Sequence, residues 1–195
     1  MKFVPTQRLV SLAMLAALTC GAHAQEAPVT PAASTETPAG SDQALDLGTK
    51  VPDSTAIKEG LFPEDACKEL EASGFKCMGF KPAIRYSLPA SSFALGSSIV
   101  PEGLKRQLDV FADVLRSKRG SGRQVRVIGH ADASGSQAGN LSLSRSRAEA
   151  VKAYLVQKGA ESGMLIAVGV GAAQPKNAAN PKSPENRRVE IGRQN

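Results

Sequence analysis

The sequence predicts an α+β protein: a two-layer sandwich of helices on a mixed four-stranded sheet, preceded by a disordered linker. Three observations predict it. Strands alternate with helices over residues 91–195, each helix carries one apolar stripe, and the stretch ahead of them has too few large apolar residues to pack.

Residues 1–24 read as a cleavable export signal. Lys2 and Arg8 form a basic start, Leu9 to Leu18 an apolar core, and Ala22-His23-Ala24 a small-x-small cleavage site before Gln25. The core is too short for a membrane anchor, and Leu18 and Thr19 stand where lipid attachment at Cys20 would want small residues. Residues 25–55, rich in Ala, Pro, Thr, Ser and Gly, cannot bury enough surface to offset ordering entropy and read as a flexible linker. Residues 56–90 form a small lead-in, with a short helix over Asp65 to Ala72 and an extended run from Gly79 to Tyr86 holding Phe80 and Ile84. Signal cleavage leaves Cys67 and Cys77, an even pair that outside the cytoplasm is most simply a disulfide. It would contribute about 2–3 kcal/mol through loop closure.

From residue 91 the pattern is regular. Phe93 to Val100 is predicted as a strand. Pro101 and Glu102 then open a helix whose Leu104, Leu108, Phe111, Ala112 and Leu115 recur on one face. Arg116, Lys118 and Arg119 crowd its negative end before Gly120. Gln124 to Gly129 is a second strand, Asn140 to Gln157 a helix stopped by Gly159, Met164 to Val170 a third strand and Arg188 to Gly192 a fourth.

Composition narrows the function. At 195 residues with 42% hydrophobics there is one ordinary domain and no large multidomain enzyme. The net charge is +6, and without Lys2 and Arg8 it is 22 minus 18, or +4. In an exported chain that mild excess suggests an anionic wall polymer or membrane surface before nucleic acid. Beyond the N-terminal segment no apolar run is long enough to be transmembrane. One histidine and two cysteines after cleavage are too few for a tetrahedral metal, and no cofactor is expected.

The chemistry should lie where the second strand hands over to the second helix. On a helical wheel Leu141, Leu143, Ala148, Val151, Tyr154 and Leu155 share a broad face, with Ser144 and Arg147 inside it. A guanidinium keeps its proton, so Arg147 needs a carboxylate or another acceptor, and Asp132 in the strand-exit loop is the candidate. Asn140, Ser142 or Ser144 could cap the helix. One fixed anion, one fixed cationic fork and a helix N-terminus suit an amino-acid-like end group: Asp132 takes its ammonium and Arg147 its carboxylate. On spacing alone an internal Asp132–Arg147 ion pair tying loop to helix remains open.

These residues carry a resemblance. Gly129-His130-Ala131-Asp132, Gly135, Asn140, Leu143-Ser144, Arg147-Ala148, Gly169, Gly171, Pro175 and Glu185-Asn186-Arg187-Arg188-Val189-Glu190-Ile191 resemble the peptidoglycan-binding family of OmpA C-terminal domains, Pal lipoproteins and MotB stator proteins, over about residues 91–195. The resemblance implies a βαβαββ fold and noncovalent binding of the peptidoglycan stem peptide. Asp132 and Arg147 would hold the amino-acid end of diaminopimelate, Asn140, Leu143 and Ser144 would line the pocket, and Arg187 or Arg188 would reach the ligand or the sheet. Ala131 departs from the family's usual threonine. The first predicted strand also lacks the family's aspartate near Gly96.

No enzymatic activity is expected, since His130 has no nucleophile elbow to serve and reads as a structural residue. The chain is therefore expected in the periplasm, with room for outer-membrane association, linking envelope components to the cell wall. The alternative is an envelope protein-interaction adaptor with a vestigial pocket, docking through residues 56–90.

Overall fold

A computed structural model describes residues 44–79, 82–89, 93–94 and 96–193. The chain divides between residues 37 and 38, and all of these residues belong to the second unit, Pro38–Asn195. The expected export signal, linker residues 25–43 and Phe80 lie outside the described residues.

The elements follow in the order β1 (Leu45–Asp46), α1 (Ser54–Leu61), α2 (Pro63–Ala72), β2 (Tyr86–Pro89), α3 (Glu102–Arg116), β3 (Val125–His130), α4 (Gln137–Gln157), β4 (Leu165–Gly169) and β5 (Arg188–Arg193). The sheet order is β1-β2-β5-β3-β4. β3 and β4 are parallel, β5 is antiparallel to β3 and β2, and β1 is parallel to β2. The predicted α+β class and mixed sheet are present. A two-residue edge strand makes the sheet five-stranded instead of four.

Apolar residues alternate along the strands, and one face packs on the helices. Tyr86, Leu88, Val125, Val127, Val189 and Ile191 meet Leu104, Leu108, Phe111 and Leu115 of α3 and Ala148, Val151 and Leu155 of α4 in one core. α1 joins that core through Ile57 and Leu61, and Asp53 caps it by accepting from the Ala56 N–H at 3.0 Å.

Two sequence expectations need correction. No strand forms among the described residues of 93–100. Gly96 at φ 68° breaks the extended run, Ile99 is 80% exposed, and Phe93 turns inward beneath Arg147. The strand that borders β5 is β2, which lies within residues 56–90, so the sheet continues across the expected boundary at residue 91. Residues 44–55, expected to be linker, are pinned. Leu45 and Leu47 N–H groups donate to the Arg85 and Ser87 carbonyls at 2.7 and 3.0 Å. The buried Gln107 amide donates to the Gly48 and Lys50 carbonyls at 2.9 and 2.7 Å. Low apolar content misses such a strap because its backbone groups hold most of it, with Leu47 alone packed against the core.

The lead-in docks through charge as well as apolar contact. Arg123 makes a forked contact to Asp65 at 3.0 and 2.5 Å and lies 3.3 Å from Glu64, Lys118 reaches Asp65 at 2.6 Å, and Arg193 pairs with Glu64. All three cations stand over the buried Phe62 ring at 5.2–5.8 Å. Cys67 and Cys77 are disulfide-bonded as expected, with Cα atoms 5.4 Å apart.

Candidate functional site

Two glycines let α4 come close enough to build the site. A Cβ on Gly129 would sit 2.0 Å from the Ser144 carbonyl oxygen, and one on Gly169 would sit 2.4 Å from the Arg145 nitrogen. The helix backbone therefore rests directly on the ends of β3 and β4. The N-cap is Ser136, not Asn140, Ser142 or Ser144: its side chain accepts from the Gly139 N–H at 3.1 Å. Gly135 at φ 81° turns the chain so that the helix starts a turn earlier than the apolar pattern indicates.

Asp132 leaves the end of β3 and is buried. Its Oδ1 accepts from the Ser134 N–H at 2.9 Å, and its Oδ2 accepts from Arg187 at 2.5 Å. Burial alone would raise its pKa, but the Arg187 bond and the Ser134 amide and hydroxyl outweigh that and hold it below the ordinary carboxylate range. It is an anion at neutral pH.

Arg147, on the inner face of α4, is only 2% exposed. Its Nε donates to the Ser97 carbonyl at 3.0 Å and its Nη2 to the Ala94 carbonyl at 3.5 Å, with the Phe93 ring 5.1 Å beneath. Among the described residues no carboxylate lies within 4 Å of it. Burial lowers its pKa, the like charge of Arg187 adds to that, and the charge of Asp132 opposes it. The internal Asp132–Arg147 ion pair is thus not formed. The carboxylate takes Arg187 instead, and Arg147 rests on backbone oxygens supplied by the loop that replaced the predicted strand.

The other expected pocket residues divide. The Asn140 amide donates to the Asp132 and Ser134 carbonyls at 3.0 and 2.8 Å, holding the loop that presents Asp132. Leu143 is half-buried. Leu141, placed by the wheel on the apolar face, is 50% exposed. Ser144 is fully buried, accepting from the Gly171 N–H and donating to the Leu141 carbonyl, both at 2.9 Å, so its hydroxyl is committed inside the fold.

Arg187 joins the site and Arg188 does not. Successive residues on β5 point to opposite sides, and Arg188 lies on the sheet face away from the helices, its Nε on Glu190 at 2.7 Å and its Nη2 on the Gln174 carbonyl at 3.2 Å. Arg85 also reaches Glu190, at 3.3 Å. His130, on the same face, is buried with its Nε2 3.6 Å from Glu190, and neither ring nitrogen has a hydrogen-bond partner among the described residues. Burial pushes the Glu190 carboxyl up, but His130 and Arg188 bring it to about 2. His130 is therefore packed against Glu190 and makes no hydrogen bond to Asp132.

Sequence reasoning gave Asn186 no role. It is fully buried, accepts from the Asn177 N–H at 2.8 Å and shares its amide among the carbonyls of Asn177, Asn180 and Pro181 at 3.0–3.2 Å. Pro181 in turn accepts from the Ala133 N–H at 2.9 Å, so Asn186 organises the loop backing Asp132. A lone Asn in a polar run carries no periodic signal. Its place between Glu185 and Arg187 in the resemblance was the only cue.

The OmpA family pattern matches residues 92–189. A peptidoglycan-associated lipoprotein of Pseudomonas aeruginosa is 37% identical over 97 residues, 49% of this chain and 55% of that one. Outer membrane protein A of Bordetella avium is 36% identical over 97 residues, 49% of this chain and 48% of that one. The crystal structure of the peptidoglycan-associated lipoprotein from Burkholderia pseudomallei aligns with a TM-score of 0.45 at 28% identity, covering 50% of this chain and 83% of that one. The matched region spans about half the length of these curated relatives.

Proposed function

The chain belongs to the OmpA family, and from that premise we propose that it binds the free amino-acid end of a peptidoglycan stem peptide, that of diaminopimelate, without catalysis, and so anchors an exported envelope protein to the cell wall. One observation carries the proposal: among the described residues a buried guanidinium, Arg147, has no carboxylate partner while a buried carboxylate stands near it. A buried charge without a counter-charge is costly, and a site that keeps one is complementary to an anion that arrives from outside.

The charge count favours a zwitterion. Two guanidiniums, Arg147 and Arg187, face one carboxylate, Asp132. A ligand ammonium can take the Asp132 oxygen that Arg187 now holds. Arg187, a third exposed and therefore able to swing, then joins Arg147 on the ligand carboxylate. Asn140 and Asn186 keep the Asp132 loop in place before the ligand arrives, which lowers the ordering cost of binding. Ser144 and Arg188 serve the fold around this exchange.

Isothermal titration with diaminopimelate-containing muropeptides tests it. Asp132→Ala and Arg147→Ala should each lose about 2–5 kcal/mol of binding, the range for removing one partner of a buried charge pair. Equal affinity for wild type and both variants would refute the reading.

A further inference from the structure

Arg147 commits one edge of its guanidinium to the fold and keeps the other. Its Nε and Nη2 donate to the Ser97 and Ala94 carbonyls, while Nη1 makes no hydrogen bond among the described residues. Nη1 and the second hydrogen on Nη2 form the end pair of the fork, spaced for the two oxygens of a carboxylate. A guanidinium only donates. A carboxylate offers that pair two acceptors, whereas the primary amide of the same end group offers one oxygen and one NH2, whose hydrogens meet those of the fork.

Arg187 is fixed at its backbone but not along its side chain. Asn186 before it is fully buried and held through both ends of its amide, the Arg187 N–H donates to the Pro184 carbonyl at 3.0 Å, and Arg188 after it pairs with His130 in the sheet. The side chain is 34% exposed and rests on Asp132 at 2.5 Å. It can therefore change partner while the chain around it stays in place. An ammonium that arrives alone exchanges one cation for another on Asp132 and strands the guanidinium. One that arrives with a carboxylate gives Arg187 a new acceptor. The charge count points the same way. Arg147 and Arg187 against Asp132 leave two minus one, or +1; a zwitterion keeps that value and an amidated end raises it to +2.

Resting on the zwitterion reading above, we propose that Arg187 is a specificity-determining residue of this site. By occupying Asp132 until a carboxylate draws it off, it admits stem peptides whose amino-acid end carries a free carboxylate and rejects those in which that carboxyl is a primary amide. Arg147 also prefers the carboxylate, but it is buried and tied to Ser97 and Ala94, so the group that changes partner is Arg187.

Isothermal titration of the full chain tests this, with a diaminopimelate muropeptide and with the same muropeptide amidated at its free amino-acid end. Wild type should bind the free form about a hundredfold more tightly, about tenfold for each guanidinium that loses a charged acceptor. Arg187→Gln should narrow the preference to about tenfold, chiefly by binding the amidated form better, because no guanidinium then competes for Asp132. Binding of the free form by this variant reports that it is folded. Equal binding of both forms by wild type overturns the selectivity, while the Asp132→Ala and Arg147→Ala titrations still decide the binding itself. Wild type that binds neither form overturns both proposals. An Arg187→Gln variant that keeps the full preference, or binds neither form, takes the role away from Arg187.

Discussion

Two ionic regions of this molecule carry the same excess charge and use it differently. At the lead-in junction three cations, Lys118, Arg123 and Arg193, meet two carboxylates, Glu64 and Asp65. At the candidate site two guanidiniums, Arg147 and Arg187, stand near one carboxylate, Asp132. Each is net +1, yet at the junction every cation touches a carboxylate and the Phe62 ring, whereas Arg147 touches no carboxylate among the described residues. Pairing geometry, not charge count, separates an ionic staple from a site that awaits a ligand.

The largest expected effect breaks the staple. Phe62 is 1% exposed, belongs to the main core and supports all three cations. Phe62→Ala should cost about 3–5 kcal/mol in urea unfolding. Asp132→Ala loses a part-exposed pair and should change stability by no more than about 1 kcal/mol. If the two variants unfold at similar urea concentrations, the Asp132 site is a second staple and the contrast fails.

A middle-sized effect concerns acid. The Arg123 hydrogen bond, against an opposing burial penalty and with Lys118 assisting, holds Asp65 well below its ordinary 3.8. A depressed folded-state pKa means that the stabilisation is fully present above about pH 4 and lost as pH falls further, because the unfolded chain takes up the proton first. Asp65→Asn should therefore cost about 1–3 kcal/mol at pH 7. It should also flatten the acid limb of the stability curve. An unchanged acid limb would mean that Asp65 does not hold the junction.

Much of this contrast was legible in the sequence, for uneven reasons. α3, α4 and β3 to β5 lie within three residues of their expected bounds, because long apolar stripes and stops such as Gly120 and Gly159 are repeated signals. β2 was missed because a four-residue strand ending in Pro89 has no period to read, while Phe93, Ile99 and Val100 imitate a strand that Gly96 interrupts. In the site, Asp132 and Arg147 were visible as charges beside an apolar stripe. Their non-contact was not, since it depends on Arg187, fifty-five residues along the chain, taking Asp132. The junction was hidden for the same reason: Glu64 and Arg193 are far apart in sequence and meet only because β5 ends beside α2.

The smallest effect sharpens the contrast most, because it leaves the charge count alone. Arg147→Lys keeps the positive charge, and an ammonium can still donate to the Ser97 carbonyl that Arg147 uses. What it loses is the planar fork that can grip a carboxylate at two oxygens and that stands over the Phe93 ring. If Arg147 only balanced charge inside the fold, lysine would serve equally well in both stability and binding. If the fork is kept for an incoming carboxylate, muropeptide affinity should fall about tenfold, or about 1.4 kcal/mol. The urea midpoint should meanwhile barely move. A variant that unfolds earlier yet binds as tightly would reverse the assignment and make Arg147 a structural residue.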